Sequence, residues 1–153
     1  MERMAQGAMG TARQGPLQPD FGPSRMHETA GATLVAARPP LVAFNVQLAA
    51  GATLEDTRAI AARIREGGES GLPGVRAMAV VLSGGVMQVS MNVERPLELS
   101  LAEVVAAVAA HARVQSAELV GLAPAAALEG FPEDVALIGY DPARQVMEKA
   151  LGS

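Results

Sequence analysis

The stretch PPLVAFNVQLAAGATLEDTRAIAARIREGG, residues 39–68, changes from a two-residue to a 3.6-residue hydrophobic period within a few positions. Val42, Phe44, Val46 and Leu48 alternate with Ala43, Asn45 and Gln47, so one face is apolar and the other is small or amide-bearing. That pattern predicts a half-buried strand. Thr53 and Asp56 then stand at the spacing of a capping box, in which each side chain satisfies the other's free backbone N–H. Leu54, Thr57, Ile60, Ala61 and Ile64 follow at helical spacing, opposite Glu55, Arg58, Arg63 and Arg65. An amphipathic helix is predicted, stopped by Gly67-Gly68.

Working outward, the loop Gly71-Leu72-Pro73-Gly74 leads into a second predicted strand over residues 75–82. Ser83-Gly84-Gly85 supplies the backbone freedom of a hairpin turn, and a third strand is predicted over residues 86–94. Ser100 and Glu103 form the next capping box, ahead of a helix with the apolar stripe Leu101, Val104, Val105, Val108 and Ala112. A short strand over residues 117–120 closes the series. The order strand, helix, strand, strand, helix, strand predicts an α+β chain of ferredoxin-like βαββαβ topology, with an antiparallel sheet and helices on one face. A short helix over residues 124–129 and a terminal helix starting at Asp141-Pro142 form a C-terminal helical extension on an edge of the sheet. Residues 1–18 show neither period and read as a flexible or partly helical lead. The expected divisions are therefore 1–18, 19–124 and 125–153.

Composition narrows the function classes. The chain has 153 residues, enough for one real core but short of two ordinary domains. Net charge is −4 and basic residues never gather beyond a pair such as Arg63 and Arg65, which argues against nucleic acid. Without cysteine there is neither a disulfide framework nor a thiolate metal site. Apolar runs fall short of a membrane span and the first residues do not resemble a signal peptide, so no membrane partner is expected. A cytoplasmic protein is the resulting expectation. Aromatic residues make up only 3%, so the core must be aliphatic and Met-filled.

Two regions concentrate hydrogen-bonding groups. The third strand carries Gln88, Ser90 and Asn92 on the face opposite Met87, Val89, Met91 and Val93. In the split βαβ topology the first and third strands are central neighbours, which would bring Asn45 and Gln47 beside them. Five neutral donor–acceptor groups would then share one open patch, suited to a heterocycle whose edge alternates the two. An ordinary solvated sheet face is the plain alternative. The second region is the loop from Gly22 to Gly31, which holds Ser24, Arg25, His27, Glu28 and Thr29. Such loops bind ligands more often than they merely connect, although a surface loop held by Pro23 and its glycines is also consistent.

The words PDFGP (19–23), GAT (31–33), ARPPLVAFN (37–45), QVSMN (88–92) and ELVGLAP (118–124) resemble the formiminotransferase family, specifically its C-terminal half. The resemblance implies a role in transferring the formimino group of N-formimino-L-glutamate to tetrahydrofolate, a step of histidine degradation and one-carbon metabolism. In that family two similar halves enclose a folate tunnel and the N-terminal half carries the catalytic histidine. By that likeness this chain is a folate-binding half, inactive alone, partnered by a separately encoded N-terminal half or by a second copy. Folate, whose pterin ring is a heterocycle of the kind described above, would meet Gly22, Pro23, Ser24, Thr29 and Gly31 in the loop. Asn45, Gln88, Ser90 and Asn92 on the sheet would meet it too.

Arg38 has two readings, a partner for a glutamate or folate-tail carboxylate or a member of a surface ion pair. Glu118 matches the family within ELVGL, where fixing the strand end suffices as its role. His27 and His111 lie outside any resemblance to the catalytic histidine motif, so no catalytic residue is assigned. Two isolated histidines give no metal site. The alternative function is a free-standing small-molecule-binding or regulatory module that dimerises through its sheet. An RNA-binding sheet is disfavoured, because the third strand has no aromatic residue for base stacking.

Overall fold

The computed structural model describes residues 19, 21–35 and 39–152. The chain divides into two units, one up to residue 37 and one from residue 38 onward. The readings of residues 1–18 and of Arg38 fall outside the described residues.

In the larger unit the alternating segment forms β1 (Val42–Leu48) and the capped segment forms α1 (Leu54–Ile64). There follow β2 (Val75–Val81), β3 (Met87–Val93), α2 (Leu101–Ala109) and β4 (Val114–Val120). Beyond β4 lie a 3-10 turn over Ala125–Leu128, β5 (Ala136–Leu137), α3 (Pro142–Gln145) and α4 (Met147–Ala150). The sheet order is β2-β3-β1-β4-β5, antiparallel throughout except for the parallel pair β4 and β5. The four long strands thus have the expected ferredoxin-like order, and the fifth is an addition.

Side-chain parity fixes the layering. Val42, Phe44, Val46 and Leu48 of β1 join Val89, Met91 and Val93 of β3 and Ala117 and Leu119 of β4 in one buried cluster. Ile60, Ala61 and Ile64 of α1 and Leu101, Val104, Val105 and Val108 of α2 complete it from the helical side. Each large aliphatic side chain fully buried there stabilises the fold by roughly 1.5–3 kcal/mol. A one-residue slip of β1 would exchange that gain for burial of Asn45 and Gln47, so the register is strongly specified.

Both predicted capping boxes are formed, reciprocally, by Thr53 with Asp56 and by Ser100 with Glu103. The end of α1 depends on Gly68, where an added Cβ would lie 2.2 Å from the Arg63 carbonyl oxygen and 2.4 Å from that of Ala62. The hairpin between β2 and β3 turns through Gly84 and Gly85, both at positive φ.

Three local features differ from the sequence expectation. β4 begins at Val114 rather than three residues later, because Val114 and Ser116 pair with Leu48 and Gln47 across a register shift. The two-residue β5 is too short to show any periodicity in sequence. The terminal helix is split at Val146, whose backbone is extended (φ −87, ψ 119). The cause is a parallel bridge to Ala123: its N–H donates to the Gln145 carbonyl at 2.9 Å and its carbonyl accepts from the Met147 N–H at 2.9 Å. Phe131 further ties this segment to the centre, edge-on to Phe44 with ring centroids 6.2 Å apart.

Two predictions follow from these ends and turns. Gly68→Ala must displace backbone and is expected to cost toward 3 kcal/mol, about the upper range for overpacking. Gly84→Ala meets open space and carries only the positive-φ penalty, about 1–2 kcal/mol; equal urea midpoints for the two variants would refute the contrast.

Hydrogen bonds from the Thr53 side chain, then its backbone, hold the Asp56 carboxyl below its ordinary pKa. The Ser100 backbone, then its side chain, does the same for Glu103. Since both folded values lie below the unfolded ones, the capping contribution is present above the ordinary carboxylate range and is lost as pH falls through the folded values. The Asp56→Asn/Glu103→Gln double variant should therefore show a shallower acid limb in urea melts taken from neutral pH downward. An acid limb as steep as that of the parent chain would rule this out.

Candidate functional site

The face of the sheet opposite the helices is built by the residues that alternate with the core. Register places Asn45 opposite Ser90 on one side and Glu118 on the other, while Met78 of β2 stands opposite Ser90. One row across the sheet therefore reads Met78, Ser90, Asn45, Glu118. The next row reads Val80, Gln88, Gln47, Ser116, and the row on the other side reads Arg76, Asn92, Ala43, Val120. Side chains in a row stand about 4.8 Å apart, the spacing of neighbouring strands.

The central row is a connected network. Ser90 donates its hydroxyl to Asn45 Oδ1 at 2.8 Å, and Asn45 Nδ2 donates to Glu118 Oε2 at 2.9 Å. A carboxylate only accepts, so Glu118 dictates which end of the Asn45 amide faces it, and the other end is left to receive Ser90. In the neighbouring row Ser116 donates to Gln47 Oε1 at 3.1 Å.

Three polar groups of this face are buried, while Ser90, Gln47 and Glu118 are half-buried and Asn92 is exposed. Asn45 is 9% exposed, and Gln88 and Ser116 are each 5% exposed. Among the described residues Gln88 Oε1 has no hydrogen-bond partner, and an acceptor left so costs about 1–3 kcal/mol relative to a satisfied one. By contrast Met78, at the β2 end of the central row, is 62% exposed. Arg76, in the third row, hydrogen-bonds through Nε to Glu94 Oε1, and that bond, ahead of the charge attraction, raises its pKa.

The candidate loop belongs to the smaller unit. Gly22 and Gly31 both take positive φ, and Gly22, Pro23, Ser24 and Thr29 are exposed. His27 closes the turn on itself: its Nδ1 accepts from the backbone N–H of Thr29 at 3.3 Å and of Ala30 at 3.2 Å. The His27 carbonyl accepts from the Gly31 N–H at 3.0 Å. Arg25 and Glu28 form an exposed ion pair beside it. Of the residues singled out by sequence, Asn45, Gln88, Ser90 and Asn92 thus share one face of the larger unit, whereas Gly22, Pro23, Ser24, Thr29 and Gly31 share one loop of the other.

Glu118, Ser116 and Met78 join the face without having been chosen from sequence. Reading β4 from Val114 would have put Ser116 and Glu118 on alternate positions and exposed the signal. Among the described residues no three His, Cys, Asp or Glu side chains are grouped to hold a metal ion. No helix among them is long and apolar enough to cross a membrane.

Fold and face together define an α+β domain of ferredoxin-like order whose sheet carries a partly buried hydrogen-bonding surface opposite its helices. The chain is homologous to glutamate formimidoyltransferase: it is 36% identical over 140 residues to the enzyme of Streptococcus pyogenes serotype M1. The match covers 87% of this chain and 46% of that protein, so the chain spans about half the length of the curated relative it matches. No family model matches the chain. The relation to the formiminotransferases implied by the sequence words is thereby established.

The Asn45 network makes a prediction of its own. Asn45→Asp removes the donor to Glu118 and sets two carboxylates side by side, which is expected to cost about 1–3 kcal/mol near neutral pH. Protonating either carboxyl restores a donor, so the deficit relative to the parent should shrink in acid. A deficit that is the same at pH 7 and in acid would show that the contact carries no weight.

Proposed function

We propose that this chain supplies the folate-binding part of a glutamate formimidoyltransferase reaction, in which a formimino group passes from N-formimino-L-glutamate to tetrahydrofolate. The observation that carries the reading is the buried polar face: an amide locked between a hydroxyl and a carboxylate, with the unpartnered Gln88 carbonyl one row away. Polar groups so withdrawn, yet incompletely paired, suit a flat ligand that brings its own donors and acceptors. Homology to glutamate formimidoyltransferase favours a reduced folate as that ligand.

On this reading residues 19–124 form the folate-binding domain, followed by the helical extension of residues 125–153. Asn45, Gln88, Ser90 and Asn92 contact the folate from the sheet. By the family resemblance, the loop residues Gly22, Pro23, Ser24, Thr29 and Gly31, and Arg38, are further candidate folate contacts, taken apart from the sheet. The chain's task is orientation: holding the folate so that its N5 faces the formimino carbon, which converts an encounter between two solutes into a reaction within one complex. Proton transfer falls to a histidine-bearing half, contributed by another segment or another chain, and the 153-residue polypeptide alone is inactive in transfer.

A second reading, a small-molecule-binding or regulatory module that pairs through its sheet, draws on the exposure of Met78 and Val120 on that same face. Calorimetric titration of the purified chain with 5-formyltetrahydrofolate separates the two. The first reading expects saturable binding that weakens at least about tenfold in Asn45→Ala, as losing a buried hydrogen-bonding group does. A dimer in sedimentation together with no folate binding would favour the second. Measurable formimino transfer by the isolated chain would refute the proposed division of labour.

A further inference from the structure

Among the described residues, Glu118 has hydrogen-bonding capacity left unspent. A carboxylate offers about four acceptor sites, and Asn45 Nδ2 occupies one of them, on Oε2. The side chain is half-buried, so the remaining sites are neither sealed in the core nor fully given over to water. Its position is also held, because Asn45 cannot turn away without breaking its bond from Ser90.

A second, independent observation lies on the same face. Among the described residues, the buried side-chain polar atom without a partner is also an acceptor, Gln88 Oε1, on the same face one row along. Glu118 can only accept, so it calls for N–H or O–H donors, while the Gln88 amide can turn either end to a ligand. At the far end of the central row, across β3, the exposed Met78 side chain offers a polarisable apolar shelf instead. From Met78 to Glu118 the row crosses four strands, about 14 Å in all.

We propose that Glu118 is the specificity-determining acceptor of this face, taking a pair of adjacent N–H donors from the edge of a flat heterocycle that lies across β1 and β3 toward Met78. The two oxygens of a carboxylate match two parallel N–H groups, such as a ring N–H beside an exocyclic amino group. On the folate reading the heterocycle is of the 2-amino-4-oxo class, with its donor edge at β4 and its long axis directed across β1 toward β3. This inference rests on the folate-binding reading, and it adds the residue and the ring edge that select the ligand.

The test compares 5-formyltetrahydrofolate with its 2-desamino-2-methyl analogue, which lacks the exocyclic donor, by calorimetry on the full 153-residue chain. The parent chain is expected to prefer the 2-amino ligand by about tenfold or more, the penalty for leaving a built acceptor unpaired. Glu118→Gln, which keeps the shape and loses the charge, should bring the two ligands to within about threefold of each other. Glu118→Asp keeps the charge but withdraws it by one methylene, so it too should lower the preference, and it serves if the glutamine variant does not fold. An undiminished preference in either folded variant overturns the role of Glu118 while leaving folate binding intact. Equal weakening of both ligands overturns it as well, since Glu118 would then act only by ordering Asn45. Failure of the parent chain to bind either ligand removes the folate reading itself.

Discussion

β1 lies between β3 and β4, and its seven residues are divided between two tasks by nothing more than the pleat. Val42, Phe44, Val46 and Leu48 anchor the core, while Asn45 and Gln47 centre the polar face. Because the period is two, neither task can be shifted without exchanging the other. β3 and β4 pair with that strand directly, α2 packs against it, and the ring of Phe131 is set edge-on to Phe44. An insertion or deletion within β1 would turn its core residues toward the polar face and its amides toward the core. A substitution at Asn45 or Gln47 leaves the apolar parity untouched.

Most of this architecture was legible because it is written in short-range chemistry. Alternation marked β1 and β3, glycines marked the hairpin, and Thr53 with Asp56 and Ser100 with Glu103 marked where the helices start. What escaped was settled by partners distant in sequence. Val146 is extended because Ala123 bridges it, and β5 exists because Ser116 and Ala117 offer an edge to Ala136 and Leu137. Neither cause leaves a local pattern to read.

The site divides along the same line. Asn45, Gln88, Ser90 and Asn92 could be placed together once the strand order was known, since each lies opposite a run of apolar residues on its own strand. The face of Glu118 is equally legible, since it alternates with Ala117 and Leu119, but its weight in the network is not. Its significance comes from an amide 73 positions away that it orients and from the acceptor sites that amide leaves free. The same limit applies to His27, whose ring nitrogen accepts from the backbone of its own turn, a structural task that residue type alone does not announce.

The central row draws one side chain from each of four strands, so no continuous peptide of this chain contains it. A molecule seated on the row touches β2, β3, β1 and β4 at once and has nothing comparable to hold in the unfolded chain. Its binding is therefore linked to folding, and occupancy raises the work needed to open the sheet. At a free concentration a hundred times Kd that added resistance amounts to about 2.7 kcal/mol, distributed over all four strands rather than over the residues that make contact.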